Sequence, residues 1–409
     1  ETQILRGLTI AASDVTIRGL SLYGFTTAHD RPTEPTPPAD IFITHAYEID
    51  GSRTAFAVHS DGQELPNNIL IEQNWLGLTP AGTVPETRSA FGVSVYNASG
   101  VTIRENLIGH HSGSGIITGA RAENLTVTDN QIIYNGLAGM PDGIRLDGQV
   151  DNGLISNNLI CGNDGSGIFL FKPQGAVDII DNAILSNGQR LQRAAIYLMG
   201  NDHRVINNQI ADQSGPGVVV TAFSQGNATH SRRNIITDNR FSNLDGLSID
   251  LNTRRHRGVQ DFQIGDGPNP PRNSVQRRRD TGNSAINAPE FASPEFYLLD
   301  GRVVLQGQAD PGSTVQLYQT VGRTGDYGPL TEPLVTVVVD EFGSFEYATS
   351  ELQSGDVVSA IATDPRYGTS EPALNAVVFS LGEQSDLPER TAPVADPAAC
   401  LASPDFSDS

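Results

Sequence analysis

Seven segments of the chain repeat one pattern of apolar and polar positions. Each follows the frame apolar–x–apolar–x–x–Asn–x–apolar, as in ILIEQNWL, VTIRENLI and LTVTDNQI. The shared asparagines recur every 24 to 32 residues, and they are Asn74, Asn106, Asn130, Asn158, Asn182, Asn208 and Asn239. Self-similarity of this length indicates a repeat architecture.

A Gly-rich turn and a second short apolar alternation follow each segment, for example DGIRLD, SGIFLF and AAIYLM. One period of about 24 residues therefore holds two or three short strands and leaves no room for a helix. A coil of this size buries its apolar side chains only by stacking on neighbouring coils. The pattern predicts an all-β solenoid.

The recurring asparagine suits the corner of a stacked coil. Its side chain tolerates a left-handed backbone, and the amides of successive coils can hydrogen-bond as a ladder. We therefore predict left-handed, laddered asparagines. An earlier copy, SDVTIRGLSL, carries Gly19 at the asparagine position, and a Pro- and Thr-rich insertion, residues 26–66, follows it.

The Asn-x-Ile and Gly-Ile-x-Leu motifs resemble the right-handed parallel β-helix repeat of secreted bacterial proteins. The resemblance covers residues 1–252 and implies a β-helix of eight or nine coils, secreted or on the cell surface. The family includes polysaccharide lyases, epimerases, phage tailspikes and surface proteins, so the fold does not define the function. A leucine-rich repeat would need its own leucine spacing and usually a helix per coil, which the sequence lacks.

The remaining sequence divides into three parts. Residues 253–290 form an Arg-rich connector, and the Arg cluster between 254 and 279 could bind an anionic polysaccharide or pair with the acidic sequence that follows. Residues 291–380 alternate apolar and polar positions between frequent turns, which predicts an antiparallel sandwich. Pieces such as PGSTVQLY and DEFGSFEY resemble a bacterial Ig-like domain. Residues 381–409 should be a disordered tail or linker.

Composition narrows the classes of function. The formal charge of −21 argues against nucleic-acid binding, and residues 291–409 alone contribute −14. No segment approaches the roughly 18 apolar residues that a membrane span needs. The chain opens at Glu1 without an initiator Met, so we expect a processed product or a fragment. Two cysteines exclude a disulfide scaffold, and we expect both as free thiols.

The side chains that could bind or react with a ligand belong to the Gly-Ile-x-Leu strands. Their aliphatic side chains point inward, and the intervening residues should form two rows that face solvent. The first row is Ser94, Ile117, Arg145, Phe169, Tyr197, Val219 and Ser248. The second row is Tyr96, Gly119, Asp147, Phe171, Met199, Thr221 and Asp250.

These rows have three interpretations. Aromatic faces stack on sugar rings and cationic side chains pair with uronate carboxylates, so the strip could bind a glycan. Resemblance to the β-helix polysaccharide lyases implies Lys172 as the base and Arg145 as the carboxylate neutraliser. Alternatively the insertion, the sandwich or a second subunit covers the strip. The glycan or interface residues are Phe169, Phe171, Tyr197, Met199, Asp147 and Tyr96.

Other candidate residues carry weaker signals. His110 and His111 lie in a predicted solvated turn and lack a third metal ligand. Asp142, Asp147 and Asp151 could serve glycosidic hydrolysis or bind Ca²⁺, but Asp-Gly is ordinary turn chemistry and no calcium-loop spacing is present. We expect no metal centre and no cofactor, with Ca²⁺ as the one ion the acidic residues could take.

The sequence favours a structural or adhesive protein of a cell surface, matrix or filament, without a catalytic role. Its partners would be copies of itself or other surface proteins, and an open first coil would offer a sheet edge for assembly. Two alternatives remain. One is a uronate polysaccharide lyase or C5-epimerase, and the other is a non-catalytic glycan-binding module.

Overall fold

The structure is a computed structural model that describes residues 5–26, 37–49, 53–56, 65–136, 140–171, 175–221, 231–252, 262–270, 281–380 and 400. The chain is all-β and divides into two compact units, residues 1–191 with 396–409 and residues 192–395. The described residues include no helix with the length and apolar character of a membrane span.

The strands of the first unit are short. In chain order they are β1 (Arg6–Ile10), β2 (Val15–Arg18), β3 (Ser21–Leu22), β4 (Ala39–Ile43), β5 (Ala46–Ile49), β6 (Arg53–Phe56), β7 (Ile69–Glu72), β8 (Trp75–Leu76), β9 (Phe91–Ser99), β10 (Val101–Arg104), β11 (Leu107–Gly109), β12 (Ile116–Glu123), β13 (Thr126–Thr128), β14 (Gln131–Ile133), β15 (Ile144–Leu146), β16 (Gly153–Ser156), β17 (Leu159–Cys161), β18 (Ile168–Leu170), β19 (Val177–Ile180) and β20 (Ala183–Leu185).

The second unit continues the same pattern and then changes to longer strands. It contains β21 (Ile196–Leu198), β22 (Arg204–Ile206), β23 (Gln209–Gln213), β24 (Val218–Thr221), β25 (Ile235–Thr237), β26 (Arg240–Leu244), β27 (Ile249–Asn252), two 3-10 turns, η1 (Phe262–Ile264) and η2 (Gly282–Ala285), and then β28 (Glu290–Phe291), β29 (Glu295–Leu298), β30 (Val303–Gln308), β31 (Thr314–Thr320), β32 (Leu330–Val338), β33 (Ser344–Thr349), β34 (Val357–Asp364), β35 (Gly368–Thr369) and β36 (Ala376–Ser380).

Each coil contributes one strand to each of three parallel sheets. In the first unit, sheet A has the order β1-β4-β9-β12-β15-β18, sheet B the order β2-β7-β10-β13-β16-β19 and sheet C the order β3-β8-β11-β14-β17-β20. The second unit likewise has three parallel sets of strands, β21-β24-β27, β22-β25 and β23-β26. This arrangement confirms the predicted parallel β-solenoid.

The interior consists of stacked aliphatic columns. In sheet B, Ile103, Val127, Ile155 and Ile179 are successive Cα partners, and none is more than 1% exposed. Each such side chain is worth about 1.5–3 kcal/mol when fully buried. Because parallel register places equivalent residues above one another, a column is complete only when several coils are stacked.

The predicted asparagine ladder lies at the corner between sheets B and C. Oδ1 of Asn130 accepts the backbone N–H and the side-chain amide of Asn106, both at 3.0 Å. Nδ2 of Asn130 in turn lies 3.0 Å from Oδ1 of Asn158 and 2.8 Å from the carbonyl oxygen of Ile103. These bonds join three coils and satisfy corner backbone groups that are buried away from water.

The left-handed residue at this corner is not the asparagine, so that prediction is wrong. The preceding residue has positive φ, as with Gln73 at 54°, Glu105 at 55° and Asp129 at 56°. The reason is the side-chain bond back to residue i−2: Nδ2 of Asn130 donates to the Thr128 carbonyl oxygen at 2.9 Å. The residue between donor and acceptor therefore makes the turn.

The first coil was aligned one position out of register. Arg18 pairs with Glu72, so Gly19 (φ 71°) corresponds to the left-handed residue, and Leu20 stands at the asparagine position. The backbone N–H of Leu20 still donates to Oδ1 of Asn74 at 3.0 Å. Part of the predicted insertion belongs to the solenoid, because β4 lies between β1 and β9 in sheet A.

The two cysteines form a disulfide, Cys161–Cys400, across 239 residues of sequence. The expectation of free thiols is therefore wrong. Cys161 ends β17 and is fully buried. The sequence alone does not show that these two cysteines meet, because the approach of residues so far apart in the chain depends on the tertiary fold. Residues 381–399 and 401–409 lie outside the described residues.

The C-terminal part is a β-sandwich with its own core. One sheet has the order β28-β30-β33, and the other has the order β29-β36-β34-β31-β32 with β35 paired to β34. The core includes Val303, Leu305, Val315, Leu317 and Val358, each 0% exposed. Most neighbours are antiparallel as predicted, but β29 and β36 are parallel. The prediction is wrong for this pair, because alternation identifies strands but does not fix the direction in which two distant strands pair.

Within the second unit, the sandwich closes the edge of sheet B. Asn234 forms a parallel bridge with Gly368, and the backbone N–H of Thr369 donates to the Asn234 carbonyl oxygen at 3.0 Å. The backbone N–H of Asn234 also donates to Oδ1 of Asn283 at 3.2 Å. We call these contacts of Asn234 with Gly368, Thr369 and Asn283 the joint. Unpaired sheet edges promote association with other chains, and the joint covers such an edge of sheet B.

A second set of contacts strengthens the joint with side chains. Arg240 donates from Nε and Nη2 to the two carboxylate oxygens of Glu332, both at 2.8 Å. The Gln316 amide donates to Asp238 Oδ1 at 2.5 Å and accepts the Asp238 backbone N–H at 3.0 Å. Such paired bonds fix orientation as well as distance.

We predict that Asn130→Ala lowers the free energy of unfolding by about 2–4 kcal/mol, because several buried corner groups lose their partners. Gln131→Ala, one residue away on the outer side, is the matched control and should cost less than about 1 kcal/mol. Urea unfolding monitored by circular dichroism measures both. Equal losses in the two variants would contradict the ladder's role.

We also predict that non-reducing peptide mapping finds Cys161 linked to Cys400. Cys400→Ser should lower the free energy of unfolding by about 2–5 kcal/mol, because the disulfide closes a long loop in the unfolded chain. Ser403→Ala, three residues further along the same segment, is the control substitution and should leave the stability unchanged. Full alkylation of both thiols in native protein purified without reductant would contradict the bond.

Candidate functional site

The predicted first row exists on the outer face of sheet A in the first unit. Ser94, Ile117, Arg145 and Phe169 are successive Cα partners. In the second unit, Tyr197 pairs with Val219, but Val219 pairs with Asp250 and not with Ser248. The assignments of Ser248 and Asp250 were wrong because β27 begins at Ile249, after Ser248.

The expectation that these rows face solvent is wrong for most of their members. Phe169 is 5% exposed, and Tyr197 and Met199 are each 1% exposed. In the second unit, connector residues lie against this face: the backbone N–H of Gly267 donates to Asp250 Oδ2 at 2.9 Å. At Asp250 the cover is therefore the connector, which was not among the predicted covers, namely the insertion, the sandwich and a second subunit.

Arg145 is the centre of the mixed aromatic and charged cluster that was predicted on this face. Its guanidinium carbon lies 4.4 Å from the ring centroid of Phe169 and 4.9 Å from that of Phe171. The two ring centroids are 5.7 Å apart. Nη1 of Arg145 lies 3.4 Å from Oδ2 of the buried Asp142. The cation thus already has two aromatic faces and one carboxylate.

Lys172, the predicted base, lies outside the described residues. Its role, and that of Arg145 as a carboxylate neutraliser, stay predictions. The Arg145 side chain retains 13% exposure, and Phe171 is partly exposed beside it. This edge of the cluster is the part that a ligand could reach.

Tyr96 and Asp147 lie close to each other on the same face. Gly119 follows Thr118, which pairs with Val95, so the register brings Gly119 beside Tyr96, just where the pairing of β12 with β9 becomes irregular. The Tyr96 ring packs directly over Gly119, where a Cβ would meet the ring at 2.3 Å. Burial raises the pKa of Tyr96, and the negative charge of Asp147 raises it further. Tyr96 therefore stays a neutral hydroxyl at physiological pH.

The sequence analysis missed a second cation–aromatic pair. The Arg6 guanidinium carbon lies 4.4 Å from the Phe42 ring centroid, and the Phe42 and Tyr96 centroids are 5.9 Å apart. Phe42 belongs to β4, which the repeat alignment treated as insertion. The alternating DIFIT sequence around Phe42 was the signal that could have identified this strand.

A buried polar network was missed as well. His111 is fully buried and not in a solvated turn: Nε2 lies 2.8 Å from Asp40 Oδ2, and Nδ1 lies 2.8 Å from Asn135 Oδ1. Ser89 donates to the other oxygen of Asp40. Burial raises the pKa of Asp40. The network is enclosed, so we assign it a role in stability.

The acidic residues proposed for hydrolysis or Ca²⁺ have local partners. Asp142 Oδ1 accepts the backbone N–H of Ser166 at 3.0 Å, and Asp151 Oδ2 accepts the Gln149 amide at 3.1 Å. Among the residues that the structure describes, no three His, Cys, Asp or Glu side chains are grouped to hold a metal ion.

Comparison with protein families gives two overlapping matches to the family described as right handed beta helix region, over residues 48–210 and 138–260. Together these ranges cover just over half of the chain. The chain belongs to the right-handed β-helix family. No curated protein gives a significant match.

Three solved structures are similar to this chain at low identity. PfbA, a surface adhesin of Streptococcus pneumoniae, is 14% identical with a TM-score of 0.41, and the match covers 61% of this chain and 62% of that one. The enzymatically active domain of bacteriophage CBA120 tailspike protein 2 is 12% identical with a TM-score of 0.36, covering 94% and 67%. DFA-IIIase from Arthrobacter chlorophenolicus A6 is 12% identical with a TM-score of 0.28, covering 57% and 71%. The chain thus spans less than two thirds of the adhesin structure.

We predict that Arg145→Ala destabilises this β-helix by about 1–2 kcal/mol, because a partly desolvated cation–π contact is lost. Arg145→Lys should recover only part of that loss, since an ammonium cannot stack flat on two rings. Arg302→Ala, at an exposed site, is the control. If urea unfolding gives the same free energy of unfolding for Arg145→Ala and Arg302→Ala, the stacking of Arg145 on Phe169 and Phe171 does not stabilise the fold.

Proposed function

We propose that this β-helix protein is an extracellular, non-catalytic adhesive module of a cell surface or matrix. The observation that carries the proposal is the state of Arg145. The residue predicted to neutralise a substrate carboxylate is neutralised by Asp142 and stacked on Phe169 and Phe171. An arginine held in this way serves packing and surface recognition better than it serves a reacting substrate.

The disulfide supports an extracellular location. The chain has two cysteines, and both are used in the single Cys161–Cys400 bond. Disulfides persist in secreted and cell-surface proteins and are rare where thiol reductants are abundant.

Exposed apolar side chains on the sandwich support a protein partner. Phe342 is 81% exposed and Val338 is 76% exposed, and both lie near the turn between β32 and β33. Asp340 holds this turn by accepting the backbone N–H groups of Phe342 and Ser344. Apolar side chains that are exposed together can mark an interaction site. We infer that other surface proteins or copies of this chain bind there.

Glycan binding is the second candidate, favoured by the edge of the Arg145 cluster. Arg145, Phe171, Tyr96 and Asp147 each keep some exposure on one face. Aromatic faces with a few polar groups suit sugar recognition. The enzyme alternative, a uronate lyase or C5-epimerase, would add Lys172 as a base, and the same experiment distinguishes all three.

The test incubates purified protein with alginate, pectate, chondroitin and heparin, with and without Ca²⁺. We expect no ultraviolet absorbance from unsaturated products and no epimerisation by NMR. Product formation that Lys172→Ala abolishes would overturn the non-catalytic proposal. Retention on the immobilised polysaccharides, lost in Phe171→Ala but kept in Phe342→Ala, would favour glycan binding.

Sedimentation at increasing concentration tests the protein–protein version. We expect self-association that Phe342→Ser weakens by about tenfold or more, as for a residue central to an interface. Val84→Ser, which alters an exposed apolar residue elsewhere, should have no effect. A monomer at every concentration would exclude copies of this chain as the partner.

A further inference from the structure

Two buried carboxyl groups lie where the last solenoid coil meets the sandwich. Asp250, on β27, is 1% exposed, and Glu371, just after β35, is 5% exposed. Carboxyl groups are almost never buried so completely without a paired cation or a full set of hydrogen bonds. The hydrogen-bond partners of Asp250 and Glu371 therefore indicate the role of the two carboxyl groups.

Glu371 joins three segments through its two oxygens. Oε1 accepts the backbone N–H of Leu251, on β27, at 3.0 Å and the side-chain amide of Asn269 at 2.7 Å. Oε2 accepts the backbone N–H of Asn269 at 2.7 Å. A sandwich residue thus binds both the last strand of sheet A and the connector.

Asp250 binds the connector from the solenoid side. Its oxygens accept the backbone N–H groups of Asp266 at 3.3 Å and Gly267 at 2.9 Å. Gly265 has a φ of 80°, and a Cβ there would lie 2.6 Å from Asp250 Oδ2. The connector therefore follows Asp250 closely, and loss of this contact would free it from β27.

Within the described part of the chain, the charged neighbours of the pair are acidic. Burial raises the pKa of Asp250 to about 7, with Asp266 adding to the shift. Burial also raises the pKa of Glu371 well above its usual value, and the charges of Asp250 and Asp266 raise it further. Tyr327 also faces Glu371, and burial and that carboxylate raise its pKa.

We propose that this pair is a proton-operated latch: Asp250 and Glu371 hold the last coil, the connector and the sandwich together while they retain protons, and they loosen that hold when both ionise. The device goes beyond adhesion itself, because it would make the docking of the sandwich depend on the pH of the surroundings.

The direction of the effect follows from proton linkage. A group whose pKa is higher in the folded state stabilises that state fully below its unfolded value, near pH 4, and this contribution is lost as pH rises through the folded value. For Asp250 the loss accumulates from near pH 4 up to its folded pKa of about 7. The latch is therefore closed in acid and weakened at neutral and alkaline pH.

Hydrogen–deuterium exchange of the full chain, corrected for intrinsic rates, tests the latch. We expect the opening constant of peptides containing Leu251 and Asn269 to increase about tenfold or more between about pH 5 and pH 8, since one pKa unit corresponds to a factor of ten. Peptides from β30, in the sandwich core, should show no such change.

Asp250→Asn and Glu371→Gln should each flatten this pH profile, because neither new side chain can ionise. Asp300→Asn and Glu341→Gln alter exposed carboxyl groups of the sandwich and should leave the profile unchanged. Equal protection at both pH values in the wild-type protein would overturn the proposal without any variant. A wild-type profile retained in both Asp250→Asn and Glu371→Gln would overturn it as well.

Discussion

Buried corner amides are the constraint on which the structure depends. A coil of about two dozen residues must turn its backbone three times, and each turn leaves N–H and C=O groups that strands cannot satisfy. The asparagine side chain satisfies them from inside the stack, and it bonds to the coils on both sides. The same solution recurs at a second corner, where Asn135 Nδ2 lies 2.9 Å from Oδ1 of Asn163. Aliphatic columns then supply the apolar burial.

The solenoid fold is predictable from the sequence because the need to satisfy corner backbone groups is local and recurs in every coil. Asparagines at a fixed position, inward aliphatics and Gly-rich turns were sufficient for the fold class and for the row from Ser94 to Phe169. The errors occurred where the repeat is broken or where a distant segment intervenes. Leu20 replaces the corner asparagine in the first coil, and β27 begins at Ile249, so alignment by pattern slipped at both ends.

The candidate site was predicted less well, because it depends on contacts between segments that are distant in the sequence. Strand alternation identifies which side chains point out of a coil, but it cannot say what lies on them. The covering of Asp250 by the connector, the burial of His111 and the pairing of Cys161 with Cys400 are long-range contacts. Arg145 shows the limit most clearly: its place beside Phe169 was predictable, whereas the Asp142 carboxylate that balances its charge was not recognised.

A corner amide also connects the fold to the proposed role. Within the second unit, Asn234 lies at the corner between sheets A and B, where it bonds to Asn283, and Asn283 in turn donates to the Thr369 carbonyl oxygen of the sandwich at 2.9 Å. A module that presents the Phe342 turn to a partner needs its sandwich held firmly, and this amide contact together with the Arg240–Glu332 pair supplies that hold. Adhesion then requires a stable surface and no reacting groups.

A double-mutant cycle between Asn234→Ala and Asn283→Gly tests whether buried corner amides hold the structure together. Glycine removes the Asn283 side chain without straining its left-handed backbone, for which φ is 46°. We expect a coupling free energy of about 1–3 kcal/mol, because the two residues share a buried hydrogen bond. Losses that add to within about 0.3–0.5 kcal/mol would mean that the corner amide of Asn234 is not coupled to Asn283 and does not hold the sandwich.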